Sequence, residues 1–398
     1  MASNRIVVLA DSISSKTRLI DEHFHANGLP TPSFDASTPP MIPLPPDITQ
    51  LKEDVLEASE ELQELLRGPM PQIFHEMTET PTRLTSFHAL SKLKMATAFP
   101  PTATTSIPDL AATCNLDLGD CTRLVRHALA YRLLNEPSPG VIAHSGMSVA
   151  IATVPHMRAW VEECCENMWS TAPHIIPAIQ KWPGSQEIDQ TAYNLAHNTP
   201  LSFFKYLGED GSGERARRFA ESMSFFQAGP GMQTSLVLDA YDWGGCGKMV
   251  DVGGSHGAVA LELVRRFPSI ECIVQDLPEV IASAPASASD ERRVTFQAHD
   301  FLTPQPVKDA DVYFFRMILH DFPDEYCIRI LRNLIPALKK GAKVLINDHV
   351  VPPPGVLSVY KERMVRGFDL VMKQLFNAKE RDVGEWTALL READERFV

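Results

Sequence analysis

The chain has 398 residues, an apolar fraction of 44%, a charged fraction of 22% and a formal net charge of −13. That length allows two or three domains with a sizeable core, and the acidity, with no basic run to offset it, excludes a nucleic-acid backbone as the main partner. Seven cysteines, an odd number without a Cys-x-x-Cys pair, argue against a disulfide framework or a zinc site and for a reduced cytoplasmic compartment, so no metal is expected.

In chain order, residues 1–50 begin with a short apolar run, Ile6 to Ala10, too short for a signal sequence or a membrane span. They end in a proline-dense stretch that predicts an extended linker. Residues 51–150 predict helices, with apolar positions at helical spacing from Leu51 to Leu66 and shorter amphipathic segments near Ser106 and Asp120. The segment Gly140–Ser148 then predicts a small hairpin. Helices followed by a hairpin are the order of a winged-helix unit; the second helix lacks a basic face, so a structural or dimer-forming role is expected rather than DNA binding. Residues 151–235 predict helices rich in Trp, Phe, Tyr and Met, which suit core packing or a pocket for a flat apolar ligand. From 236 to 398 strands and helices alternate, as in a doubly wound, Rossmann-like α/β sheet.

The most informative stretch lies at the start of that last region. Met249, Val250 and Val252 form an apolar strand, Gly253-Gly254-Ser-His-Gly257 a turn, and Ala258 onward a helix; the next strand ends at Asp276. This is the build of a nucleotide-cofactor pocket at the carboxyl edge of a parallel sheet. The glycine spacing departs from Gly-x-Gly-x-x-Gly. Asp251 also places a carboxylate where a dinucleotide would carry its pyrophosphate, and like charges repel. A cofactor with an ammonium, a sulfonium, a ribose diol and no phosphate suits both acids, Asp276 accepting from the ribose hydroxyls. That description fits S-adenosylmethionine; the bland alternative is an ordinary βαβ turn.

Further along, a strand ends in His299-Asp300, where Asp300 suits an adenine amino group and Phe301 the ring face. Arg316, His320 and Asp321 follow the next buried strand and fall over the cofactor crevice. His320 is the candidate base, because imidazole titrates near neutral pH and can take a hydroxyl proton. Asp348 and Glu380 are candidates for the acid that fixes its tautomer. The competing reading is a histidine that caps the following helix.

Together these residues resemble the class I, S-adenosylmethionine-dependent O-methyltransferases that act on plant phenolics and fungal polyketides. Asp251-Val-Gly-Gly-Ser-His-Gly257 is similar to their first motif and Asp276-Leu-Pro278 to their ribose motif. Leu319-His-Asp-Phe-Pro-Asp-Glu325 resembles the segment of their general base, and Ala378-Lys-Glu-Arg381 with Glu385-Trp386 resembles their late motif. The resemblance implies His320, Asp348 and Glu380 as catalytic residues. It implies cofactor contacts from Asp251, Gly253, Gly254, Asp276, Leu277, Asp300, Phe301 and Arg316. It further implies an N-terminal winged-helix domain that forms a homodimer, a small-molecule substrate, and neither nucleic acid nor membrane as partner. In three places the chain departs from the family pattern: it stops at Val398 before the usual closing hairpin, which would expose a sheet edge, Glu395 stands at a commonly apolar position, and His299 replaces a small residue. The leading reading is O-methylation of a hydroxylated aromatic or polyketide-like metabolite. The alternatives are a pericyclase or dehydratase that keeps the cofactor intact, with His127, Thr199 and His299 facing substrate, and a non-catalytic binding protein.

Overall fold

The computed structural model describes residues 4–229, 231–282, 284 and 292–397. Their contacts divide the chain into two compact units, one running to Cys165 and including Arg218–Phe225, the other made of Glu166–Arg217 and Phe226 onward. The division falls at 165/166, and the aromatic-rich segment 151–235 is shared between the units.

In the first unit, Arg5–Ala26 is a 22-residue helix that the neighbouring prolines did not lead us to expect. It lies beside the helix Pro46–Arg67, with Arg5 paired to Glu61 and Lys16 to Asp54. Helix is absent from 27 to 45, where the prolines concentrate. A core follows from the helices Pro69–Lys92, Ile107–Thr113 and Leu118–Ala130, which bury Leu90, Leu110, Cys121 and Val125. Ser106 and Asp117 cap the last two of these helices through their side-chain oxygens. Strands β1 (Thr104–Ser106), β2 (Leu134–Ser138) and β3 (Val141–His144) form an antiparallel sheet in the order β1-β3-β2. The hairpin thus starts before Gly140, and a register shift between Asn135 and Ser138 coincides with Pro137, which has no N–H to donate.

The second unit holds a five-stranded parallel sheet: β4 (Lys248–Val252), β5 (Glu271–Asp276), β6 (Val294–Ala298), β7 (Val312–Arg316) and β8 (Lys343–Asn347), in the order β6-β5-β4-β7-β8. Period-2 alternation sends its side chains to two cores. Val250, Val252, Tyr313 and Phe315 pack with the helices Asp324–Leu334 and Val383–Ala393. Met249, Cys272, Val312 and Phe314 pack with the helix Ala258–Arg266. Both faces are covered, so the sheet is doubly wound. The chain steps outward from β4 to β6 and then returns past β4 to β7, so the strand order reverses between β4 and β7. At such a reversal the loops diverge and leave a crevice at the carboxyl ends of the strands. No disulfide forms among the described residues. Among the described residues no helix is long and apolar enough to cross a membrane.

Candidate active site

The glycine turn leaves β4 at this reversal. Gly253 has a φ of +74°, and a Cβ there would stand 2.5 Å from Cδ1 of Ile318 and 3.7 Å from the Phe301 ring. At Gly254 a Cβ would lie 2.6 Å from the carboxyl carbon of Asp251. The glycines are therefore demanded first by the protein's own packing. The Asp251 carboxylate folds beneath the turn, 3% exposed, and burial, then Asp276, push it up to about 7 against the pull of Arg316.

Asp276 takes Ser255 N–H on Oδ2 and Leu277 N–H on Oδ1, each at 2.8 Å. Each carboxylate oxygen keeps a lone pair beyond these bonds, which is what a ribose diol requires. Phe301 stands edge-on to Phe322 with ring centres 5.5 Å apart, and the exposed Asp300 accepts from Leu302 N–H at 2.9 Å. Arg316 is tied to Met232 O and, at 3.4 Å, to Thr234 Oγ1, while its buried Nε has no partner. The glycine-lined turn and the open lone pairs of Asp276 fit a cofactor with a ribose diol, the unpaired Arg316 Nε–H an acceptor upon it, and the acids Asp251 and Asp276 disfavour a phosphate there.

His320 lies on the turn Leu319–Asp321 and is 7% exposed. It does not cap the next helix, whose N-cap is Pro323. Its Nδ1 is 2.9 Å from Glu380 Oε1 and its Nε2 is 3.6 Å from Asp321 Oδ1. Asp348 is not on the imidazole: its carboxylate takes Ile318 N–H at 3.2 Å and His320 N–H at 3.1 Å, fixing the backbone that carries the ring. Burial depresses the His320 pKa, but Asp321, the hydrogen bond to Glu380 and Asp348 outweigh it and raise it to about 9. Burial works against ionised Glu380 too, yet its bonds to His320 and His349 hold it down at about 2. Asp321 is raised to about 7 by burial and by Asp348 and Glu380, against the attraction of His320.

Sequence reasoning missed His349 and Arg381, and it placed Asp321 over the crevice without giving it a role. His349 Nδ1 lies 3.3 Å from the same Glu380 oxygen. Asp321 faces Nε2, the other imidazole nitrogen of His320. Arg381, fully buried, donates to Leu319 O at 3.0 Å, Phe322 O at 2.8 Å and Asp324 Oδ1 at 2.7 Å, and its own carbonyl accepts Val351 N–H at 2.9 Å. It thereby fastens the three segments that supply His320, Asp348 and Glu380. Its place directly after Glu380 was the available clue. His320, His349 and Glu380 offer atoms within 4.8 Å of one another; hydrogen bonding accounts for that cluster.

The remaining expected substrate residues are not brought together by hydrogen bonds among the described residues. His127 belongs to the first unit, with Nδ1 2.7 Å from Ser86 Oγ. Thr199 closes a turn on Asn194 and Leu201. His299 donates its N–H to Asp276 O at 2.8 Å and keeps a buried Nε2 without a partner.

A glycine turn over a buried acid, a carboxylate with open lone pairs at the end of the next strand and a buried His–Glu pair beyond β7 and β8 thus lie in one unit. The chain belongs to the O-methyltransferase family: residues 184–394 match the family model for the O-methyltransferase domain, and the methyl donor of that family is S-adenosylmethionine. It is similar to the chlorophenol O-methyltransferase of Trichoderma longibrachiatum, 36% identical over 407 aligned positions covering 100% of this chain and 86% of that protein. Its fold is shared with the crystal structure of OxaC (TM-score 0.80, 22% identity, 98% of this chain and 93% of that one). It is shared also with a structure described as a pericyclic reaction enzyme (TM-score 0.72, 23% identity, 96% and 94%).

Proposed function

We propose that the protein methylates a hydroxyl of an aromatic or polyketide-like small molecule, with His320 taking the hydroxyl proton. The observation that carries this reading is the buried His320 held at Nδ1 by ionised Glu380. When bound, S-adenosylmethionine supplies an electrophilic methyl carbon on a cationic sulfonium. Asp276 and Leu277 hold the ribose side, Asp300 and Phe301 the adenine, and Asp251, Gly253, Gly254 and Arg316 the region of the turn. Glu380 fixes the His320 tautomer with Nε2 as the accepting nitrogen. A base near 9 is close to a phenol's pKa of about 10, so the proton crosses at little cost. The printed name of the Trichoderma relative supports a phenolic acceptor.

The first unit, in this reading, is a winged-helix-type dimerisation domain of a cytoplasmic homodimer. Met70, Ile73, Phe74 and Met77 support it, because they form an exposed apolar stripe along the helix Pro69–Lys92.

One observation favours a second reading. With its pKa raised to about 9, His320 is an imidazolium at neutral pH, which suits proton donation or charge stabilisation in a pericyclase or dehydratase that leaves the cofactor intact. Incubation with methyl-labelled cofactor and a panel of hydroxylated aromatic and polyketide-like compounds, a chlorophenol among them, decides. Labelled ether that disappears in His320→Ala supports methyl transfer; rearranged product with unconsumed cofactor supports the second reading, and unchanged turnover in His320→Ala sinks the base assignment.

A further inference from the structure

Glu380 Oε1 lies 2.9 Å from Nδ1 of His320 and 3.3 Å from Nδ1 of His349, so two imidazoles share one carboxylate oxygen. Their rings stand perpendicular, with centres 6.0 Å apart. The carboxylate is 2% exposed, and its other oxygen, Oε2, is buried without a partner. Its backbone is fixed as well, since Glu380 N–H donates to Asp369 Oδ1 at 2.9 Å. His349 is placed from both sides: its carbonyl accepts Trp386 Nε1–H at 3.3 Å and its ring lies 6.2 Å from that of Phe368.

Both Nδ1 atoms face an ionised acceptor, so both carry the proton. An oxygen with two donors has its charge divided between them. Of the two rings, His320 is buried and His349 has 39% of its side chain exposed. We propose that His349 is a positioning residue for methyl transfer: by donating Nδ1–H to Glu380 Oε1 it holds that carboxylate against His320 and limits how strongly the carboxylate retains the His320 proton. This rests on the reading of His320 as the proton acceptor. The charged groups facing His320 are Asp321 on its own turn, Asp348 after β8 and Glu380. Those facing Glu380 are the acids Asp321, Asp348 and Asp369, the last accepting its N–H, and the imidazoles His320 and His349, so His349 is the second donor that tempers this acid-rich surround.

The test compares His349→Phe and His349→Leu, which remove the donor, with His349→Asn, whose amide nitrogen reaches nearly the place of Nδ1. Each is assayed for kcat/KM against pH in the full-length protein, with cofactor affinity and thermal melting alongside. The expected result is an acid limb displaced upward by roughly one pH unit in the Phe and Leu variants, a loss of about tenfold near neutral pH, with cofactor affinity unchanged. The limb should return toward the wild-type position in His349→Asn. Should His349→Phe fail to fold, His349→Leu carries the comparison. A limb that stays in place in the donorless variants overturns the proposal, as does His349→Asn behaving like them, because side-chain shape would then be the cause. The base assignment fails separately, through turnover that survives in His320→Ala.

Discussion

The carboxylate of Asp251 lies directly beneath Gly254, so near that a Cβ at 254 would stand 2.6 Å from its carboxyl carbon and 2.9 Å from Cγ1 of Val274. The acid and the glycine are one device. The strand delivers a buried charge under the turn, and the turn must lack a side chain to pass over it.

Gly254→Ala should therefore injure the protein before any ligand arrives. Forcing a methyl group into a packed site costs about 1–3 kcal/mol. The expected outcome is a lower melting temperature together with weaker cofactor binding, read by differential scanning and titration calorimetry. Wild-type values for both would show that the turn is free to move away.

Cofactor binding should depend on pH through Asp251. Burial and Asp276 raise this acid to about 7, so without ligand it is partly protonated at neutral pH. A cationic ligand nearby favours the ionised form, which means binding releases protons and weakens as pH falls below about 7. Titration calorimetry in buffers of different ionisation enthalpy measures the proton count. Proton uptake, or an affinity that is flat with pH, would contradict the placement of positive charge near this acid.

Activity should rise with alkalinity. His320, raised to about 9, must be neutral to accept a proton, so kcat/KM should climb about tenfold per pH unit until about pH 9 and then level. Glu380→Gln removes one of the charges that retain the imidazolium proton, so its limb should fall to lower pH even as the loss of the fixed tautomer reduces the plateau. A limb unmoved in that variant would mean that Glu380 does not govern the base.

Arg381 should matter chiefly to stability. Its removal takes the charged donor from the carbonyls of Leu319 and Phe322, leaving Phe322 O with only the weak thiol donor of Cys327, and a hydrogen bond to a charged group is worth about 1.5–3 kcal/mol. Arg381→Ala is expected to lower the free energy of unfolding by a few kcal/mol, seen as a lower denaturation midpoint, while Arg381→Lys, which cannot span the same acceptors, recovers only part of it. Equal midpoints for the wild type and both variants would remove Arg381 as the fastening between the three segments.

The sequence by itself determined the α/β character of the second half, because apolar strands, the glycine turn and amphipathic helices are local patterns with their own periods. It also singled out Asp251, Asp276, His320 and Glu380, since their chemistry is tied to motifs a few residues long. It did not reveal the helix Arg5–Ala26, whose weak amphipathic pattern gains support from lying beside Pro46–Arg67. Only the tertiary structure decided that Glu380 holds the imidazole of His320 while Asp348 holds its backbone, and that His349 and Arg381 join them. Asp348 and Glu380 come to His320 from segments 28 and 60 positions away along the chain. Local pattern names the groups; sheet order determines which of them meet, because β4 beside β5 brings Asp251 near Asp276 and β7 beside β8 brings His320 near Asp348, whatever their separation along the chain.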